Sequence, residues 1–179
     1  MRKILLLLAV AFFLHVPPAL AGTAGMEKPA EVAAYVKSPT PYGQGALHKM
    51  FLHVYDSSLW TDAKPWSINK TFALVIRYDM NFSVKELVDR SIGEMERTGK
   101  MPDAEKAQFQ KELTARFHAV RPGDVITAVY SPKKGGIFYY NGKQMAGAMD
   151  GGRAQKFLNI WLGPETSEAG LRKDLLALN

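Results

Sequence analysis

The chain has 179 residues, of which 23 are lysine or arginine and 17 are aspartate or glutamate, giving a formal net charge of +6. It contains no cysteine, so disulfide bonds, thiol catalysis and thiolate metal sites are excluded and packing alone must hold the fold. The basic residues are scattered along the chain, so neither a nucleic-acid partner nor a polybasic membrane segment is expected.

The first 21 residues have the pattern of a secretory signal peptide. Residues 2 and 3 are basic, residues 4–16 are largely apolar, and Ala19-Leu20-Ala21 provides a cleavage site with small residues at its two key positions. The apolar stretch is shorter than the ~20 residues that span a bilayer, which disfavours an uncleaved anchor. We expect cleavage after Ala21, leaving one domain over residues 22–179 that is soluble in the periplasm or outside the cell, with no transmembrane segment.

The first part of this domain is predicted to form strands. Residues 31–37 could be a first strand, and residues 71–78 predict another because they are rich in β-branched and aromatic side chains. Residues 47–59 alternate with a period of two and predict one continuous strand. Its expected core face carries Met50, Leu52 and Val54. Its opposite, amphipathic face carries Lys49, Phe51, His53 and Tyr55.

Two helices are predicted next. Ser83 and Glu86 form a capping-box pattern, in which each side chain satisfies a backbone N–H at the start of a helix. This helix should cover residues 83–98 and end at Gly99. Pro102 then opens a second helix. Its buried side should carry Phe109, Leu113 and Phe117, which recur at four-residue spacing.

A series of hairpins should follow. Residues 121–124 read as a turn before strands at residues 125–130 and 137–140. Asn141-Gly142 is the strongest hairpin signal in the chain, because type I′ turns need positive φ at both central positions. Residues 143–149 are then expected to return as a strand.

The chain is predicted to close with two helices, near residues 153–162 and 167–178. Thr166 or Ser167 should cap the second of them, because the first N–H groups of a helix lack an internal partner. The complete order of elements predicts an α+β fold with a mainly antiparallel sheet and helices packed on one face.

The side chains exclude most catalytic and metal sites. The predicted domain has only three histidines, His48, His53 and His118, and on one continuous strand the first two would point to opposite faces. Neither a metal site nor a cofactor is therefore expected, and no nucleotide-binding or serine-hydrolase motif is present.

Five polar and aromatic residues remain as candidates on the strands. They are His53, Tyr55, Arg77, Tyr78 and Tyr130. One interpretation is that they are ordinary amphipathic sheet residues with their polar ends in water. The other is that they border a small-molecule pocket, which is typically apolar with a few polar groups.

Four motifs in order resemble the bacterial chalcone isomerase-like family. They are Val54-Tyr-Asp-Ser-Ser-Leu-Trp60, Pro122-Gly-Asp-Val-Ile-Thr127, the Asn141-Gly142 turn, and Phe157 with Ile160-Trp-Leu-Gly-Pro164 and Thr166-Ser167. The resemblance covers roughly residues 42–176. It implies an open-faced β-sandwich, in which helices pack against a curved antiparallel sheet.

The resemblance also implies what chemistry to look for. Plant chalcone isomerases close a ring with an arginine that holds the phenolate and a threonine and a tyrosine that polarise the ketone. On that pattern the tyrosine falls at Phe82, the threonine at about Tyr55, a further contact residue at about Ile160, and the arginine in residues 43–47, which contain none. Conventional ring closure is therefore not expected.

Non-catalytic members of the family bind fatty acids, and this is the function that we favour from the sequence. The expected partner is an apolar small molecule or fatty acid, with Lys49 or Arg77 as the basic anchor. The predicted ligand-binding residues are Lys49, Phe51, His53, Tyr55, Arg77, Tyr78 and Phe82. Two alternatives remain. One is an isomerase or lyase acting through Tyr55, Tyr78 and His53. The other is an interaction module that uses Trp60, Trp66 or Trp161.

Overall fold

The computed structural model describes residues 26–178, so the predicted signal peptide lies outside the described residues. Six strands are present: β1 (Gly43–Lys49), β2 (Leu52–Thr61), β3 (Phe72–Tyr78), β4 (Val125–Ser131), β5 (Gly135–Tyr140) and β6 (Lys143–Gln144). Five helices accompany them: α1 (Ala30–Ala33), α2 (Val84–Thr98), α3 (Asp103–Arg116), α4 (Gly151–Leu162) and α5 (Ala169–Leu175). None of these helices is long and apolar enough to cross a membrane.

The six strands form one antiparallel sheet in the order β1 to β6, each paired with its neighbours in the sequence. Helices α2 to α5 cover one side, which we call the helix face. The predicted α+β class, with a mainly antiparallel sheet and helices on one face, is confirmed.

Residues 47–59 are two strands rather than the single strand predicted. β1 ends at Lys49, Met50 adopts a left-handed φ of 56°, and β2 starts at Leu52. The turn escaped detection because neither of its residues is a glycine, asparagine or aspartate, which usually mark such turns. It also makes His48 and His53 partners across the hairpin, with stacked rings 4.9 Å apart, so the expectation that they point to opposite faces is wrong.

A β-bulge in this hairpin rearranges the faces of β2. Leu47 pairs with Tyr55 and His48 pairs with His53, which leaves Val54 as an extra residue. Two successive residues opposite one partner interrupt the strict alternation of side chains. Val54 and Tyr55 therefore both border the helix face, and the predicted division of this segment into a core face and an amphipathic face is wrong.

The helix boundaries follow local chemistry closely. The Ser83–Glu86 capping box and the stop at Gly99 are confirmed for α2, and Pro102 precedes α3 as predicted. The predicted cap of α5 is wrong, because Glu168 occupies the N-cap position and makes no side-chain cap.

The hydroxyl of Thr166 has another role before α5. It donates to the carbonyl of Ile160 at 2.6 Å and accepts from the backbone N–H of Glu168 at 3.2 Å. Thr166 thus fixes the connection between α4 and α5 instead of capping a helix.

Two predicted strands form differently. Residues 31–37 form no strand but overlap the short helix α1, and Val32 and Val36, four positions apart, are both buried against the sheet. Only Lys143–Gln144 of the predicted strand 143–149 joins the ladder, although Met149 returns through one bridge to Gly136. Between them, the guanidinium of Arg116 donates to the carbonyls of Ala146 and Gly147 and holds this segment out of the ladder.

The other side of the sheet, the strap face, is covered by residues 26–38, which we call the N-terminal strap. Val32 and Val36 are buried against the residues of β2 to β5 that point away from the helix face. Polar contacts fasten the strap: Glu31 accepts from Thr127 at 2.7 Å, the hydroxyls of Tyr35 and Tyr139 lie 3.0 Å apart, and Asp62 accepts from the N–H of Ser38 at 2.7 Å.

Candidate functional site

A cavity of about 450 Å³ lies between the helix face of the sheet and the helices α2 and α4. Residues on the inner side of α2 form the wall opposite the sheet. The walls are mainly apolar, and the strands contribute Leu52, Val54, Leu74, Ile76, Ile126 and Ala128. Ile160 and Phe157 of α4 complete the inner wall. A space with these walls favours an apolar ligand.

The charged residues that border the cavity include Lys49 and Arg90 and three glutamates, Glu86, Glu94 and Glu168. The Lys49 and Arg90 side chains are 50% and 62% exposed, so we call this open end the mouth. The ammonium of Lys49 binds Glu168, and the Arg90 guanidinium lies 2.7 Å from Glu94 and 3.6 Å from Glu168. The two cations are thus held in place by carboxylates before any ligand arrives.

Glu94 is the most buried charged group at the mouth. Its side chain is only 7% exposed, and one of its carboxylate oxygens, Oε2, makes no hydrogen bond within residues 26–178. Arg90 and Arg97 flank it, the latter at 3.6 Å, and compensate the negative charge.

Two tyrosines place hydroxyl groups at the cavity wall. The indole Nε1 of Trp161 donates to the Tyr55 hydroxyl at 2.9 Å, while the Tyr78 hydroxyl has no hydrogen-bond partner in the described part of the chain. Burial raises the pKa of both phenols well above the ordinary value. Both therefore stay protonated near neutral pH and can donate a hydrogen bond, but they do not act as bases.

Four of the seven residues predicted to bind ligand border this cavity: Lys49, Tyr55, Tyr78 and Phe82. The Phe82 ring packs edge-on against Tyr78, with ring centres 6.0 Å apart. The position where the plant enzymes carry a tyrosine thus holds an apolar ring on the cavity wall.

The other three predicted residues lie elsewhere. Phe51 occupies the β1–β2 turn and is 85% exposed. His53 and Arg77 project from the strap face beyond the strap, where Arg77 donates to Asp56 at 2.9 Å. Arg77 is therefore not the basic anchor of the cavity.

His53 sits between two carboxylates on that outer surface. Its ring nitrogens lie 2.8 Å from Asp79 and 3.0 Å from Asp56. Partial burial lowers the pKa of His53, but the hydrogen bonds and negative charges of the two aspartates outweigh it and leave the pKa above its usual value. Across the described residues, no group of three or more His, Asp or Glu side chains is arranged to hold a metal ion.

These positions also bear on the two alternative functions. His53 faces away from Tyr55 and Tyr78, so the three residues of the proposed enzyme do not converge. Of the three tryptophans of the interaction alternative, Trp60 is buried on the strap face, while Trp66 and Trp161 are partly buried on the helix face.

The mouth residues of α2 and the α4–α5 connection were missed from the sequence. Leu87, Ser91 and Glu94 recur at spacings of four and three, which places them on one side of α2. Polar residues that recur on the otherwise apolar inner side of a helix can indicate a ligand site. The same pattern would also have pointed to the neighbouring Arg90.

Comparisons with known proteins agree with this architecture. A family model described as chalcone isomerase-like matches residues 22–177. An uncharacterized protein of Haemophilus influenzae is 27% identical over 125 residues, which are 69% of this chain and 61% of that protein. The chain thus spans less than two thirds of the length of this relative.

A solved structure is similar in fold. The crystal structure of a fatty-acid binding protein from Arabidopsis thaliana superimposes with a TM-score of 0.58 at 11% sequence identity. The match covers 76% of this chain and 86% of the plant chain. At this identity the likeness establishes a shared fold.

Proposed function

This chain belongs to the chalcone isomerase-like family, and from that premise we propose that it is an exported, non-catalytic binding protein for a long-chain fatty acid or a similar acyl lipid. The observation that carries the proposal is the cavity of about 450 Å³, which is apolar along its walls and charged at its open end. The fatty-acid binding of the structurally similar plant protein supports the same ligand class.

The cavity walls favour an acyl chain. The volume falls within the ~300–1,000 Å³ typical of small-molecule sites. Each buried methylene group of a ligand contributes about 0.8 kcal/mol when it leaves water. Leu74, Ile76 and Ala128 offer no hydrogen-bonding side chain, so a polar ligand segment placed against them would lose its hydration without compensation.

The mouth suits the head group. A carboxylate there would compete with Glu168 for Lys49 and Arg90, which both lie close to that glutamate. Arg90 supplies the guanidinium that residues 43–47 lack, although it comes from α2 rather than from the first strand. The three carboxylates at the mouth disfavour a head group with more than one negative charge.

The cavity is poorly equipped for ring closure. Phe82 places an apolar ring where the plant pattern has a tyrosine, and residues 43–47 contain no arginine to hold the phenolate. His53, one of the three residues of the alternative enzyme, faces away from the cavity. Losing one positioned polar group typically lowers a rate ~100-fold or more. We therefore expect chalcone to disappear at the uncatalysed rate in a spectrophotometric assay, and saturable, protein-dependent loss would contradict the non-catalytic reading.

Titration with a fluorescent long-chain fatty acid tests the binding proposal. Wild-type protein should bind the probe saturably with one site. Ala128→Leu should reduce the affinity at least about tenfold, because the added carbons fill space that the acyl chain needs. Ala73→Leu is the matched control on the opposite face and should bind normally under conditions where it is folded.

The proposal fails if wild-type protein shows no saturable binding, or if Ala128→Leu binds as well as wild type while folded. Arg90→Gln tests the head group separately and should weaken a fatty acid more than the corresponding alcohol.

Export is tested independently of the ligand. After cell fractionation, the protein should be in the periplasm or the medium, and its N-terminal sequence should begin at Gly22. Mature protein that begins at Met1 would rule out cleavage.

A further inference from the structure

The exposed apolar surface of the described residues is concentrated at one point. Four large hydrophobic side chains are exposed: Met50 at 92%, Phe51 at 85%, and Leu52 and Leu178 at 45% each. Three of these four are consecutive and form the β1–β2 turn with the start of β2. We call Met50, Phe51 and Leu52 the hairpin tip.

Folding requirements do not explain this choice of residues. The turn holds Met50 at a φ of 56°, a conformation that asparagine and glycine adopt more easily. A methionine and a phenylalanine at such a turn favour neither the backbone conformation nor contact with water. Cover by another surface would account for both side chains.

The tip also lies beside the mouth of the cavity. Lys49, the residue before the tip, and Leu52, its last residue, both border the cavity. A surface that covered Met50 and Phe51 would therefore lie next to the opening through which a ligand enters.

We propose that Met50 and Phe51 insert into the surface of a lipid bilayer and dock the cavity mouth against it. The choice of a bilayer rests in part on the proposed function, because a lipid-like ligand resides in membranes. A stable protein interface buries about 800 Å² on each partner, which is much more than a two-residue turn offers. Shallow insertion of a few apolar side chains needs no such area.

The charges at the mouth allow insertion of the hairpin tip to be distinguished from electrostatic adsorption of a basic protein to anionic lipid. Three glutamates border the mouth beside Lys49 and Arg90, so the mouth has no net positive charge to attract anionic lipids. Binding should therefore occur on neutral phosphatidylcholine vesicles and should change little with added salt or with phosphatidylglycerol.

Vesicle co-sedimentation tests the proposal. Met50→Ser/Phe51→Ser should lower partitioning onto phosphatidylcholine vesicles by about tenfold or more, because two apolar side chains leave the interaction. Leu178→Ser removes the exposed hydrophobic residue outside the tip and should partition like wild type. Far-UV circular dichroism should be unchanged in both, since the replaced side chains are exposed.

The absence of cysteine allows a second, direct measurement. A dye that is sensitive to polarity, attached to Phe51→Cys, should shift to shorter wavelength when vesicles are added. The same dye on Leu178→Cys should not shift.

The proposal is overturned if the serine variant partitions like wild type, or if binding needs anionic lipid and disappears in salt. Its failure can be distinguished from failure of the ligand proposal. The serine variant should bind a fatty-acid probe from vesicle-free solution with wild-type affinity but take it from vesicles more slowly. If the protein inserts into vesicles but binds no fatty-acid probe, the proposed ligand is wrong, and the membrane insertion of the hairpin tip is still supported.

Discussion

The two faces of the sheet are made by the same strands, yet only one of them encloses a cavity. On β3, Leu74 and Ile76 border the cavity, whereas Ala73 and Val75, which alternate with them, are fully buried beneath the N-terminal strap. Both faces are apolar, so the composition of the sheet does not create the space. The difference lies in the cover: α2 and α4 enclose an open space above the sheet, while the strap places Val32 and Val36 directly among the sheet residues.

This comparison teaches that the cavity can be altered without rebuilding the sheet. Side chains of the strap face meet close-packed neighbours, and protein interiors resist added volume. Side chains that border the cavity meet unfilled space. Matched substitutions on the two faces should therefore change the free energy of unfolding by different amounts or in opposite directions.

The largest contrast should come from enlarging one alanine on each face. Ala73→Leu should destabilise the protein by about 1–3 kcal/mol, because it overpacks a site with no exposed surface. Ala128→Leu extends into the cavity and should leave stability unchanged or raise it by about 1 kcal/mol. Urea unfolding of both variants measures this, and equal destabilisation would show that the two faces are packed alike.

A smaller contrast should come from removing one hydroxyl on each face. Tyr55→Phe leaves the indole N–H of Trp161 without its acceptor inside the protein, which should cost about 1 kcal/mol or more. Tyr139→Phe removes a hydrogen bond to Tyr35, a partly exposed side chain that water can satisfy, and should cost less. Thermal unfolding of the pair checks the order, and a larger loss for Tyr139→Phe would contradict it.

The smallest effect concerns His53, on the strap face beyond the strap. Because its pKa is raised in the folded protein, its stabilisation is complete below the unfolded pKa of about 6.5 and is lost as the pH rises through the folded pKa. His53→Gln should therefore be less stable than wild type at about pH 6, by a few tenths of a kcal/mol at this partly exposed site, and nearly equal at about pH 8.

Asp79→Asn serves as the companion variant for this measurement, since it removes one of the two carboxylates that hold the ring. It should flatten the same pH dependence of the unfolding midpoint. A stability gap between wild type and His53→Gln that widens towards alkaline pH would show that the ring is not held in its charged form.

The parts of the fold that could be predicted are those that local chemistry decides. The Ser83–Glu86 capping box, the Gly99 stop and the Asn141-Gly142 turn, whose φ values are 48° and 76°, depend only on neighbouring residues. Residues 31–37 and 143–149 differ from prediction because groups far away in the sequence decide their conformation. Val32 packs on the strap face of the sheet. The guanidinium of Arg116 donates to the carbonyls of the segment after β6.

The candidate site was harder to predict because one extra residue changes a strand's faces. Strict alternation assigns Val54 and Tyr55 to opposite sides, and only the pairing of β1 with β2 reveals the bulge. Arg90 and Glu168 come together at the mouth from segments far apart in the sequence. No local pattern relates them, so the charged end of the cavity follows from the tertiary structure.

Two contacts between residues far apart in the sequence constrain the order in which the chain can fold. Tyr35 of the strap meets Tyr139 of β5, 104 positions later, and Lys49 of β1 meets Glu168 just before α5, 119 positions later. The intervening strands can pair as successive hairpins, whose loops are short and quick to close. The contact of the strap with β5 therefore forms only after the strands between them have been synthesised, so the strap face of the sheet stays partly uncovered until then.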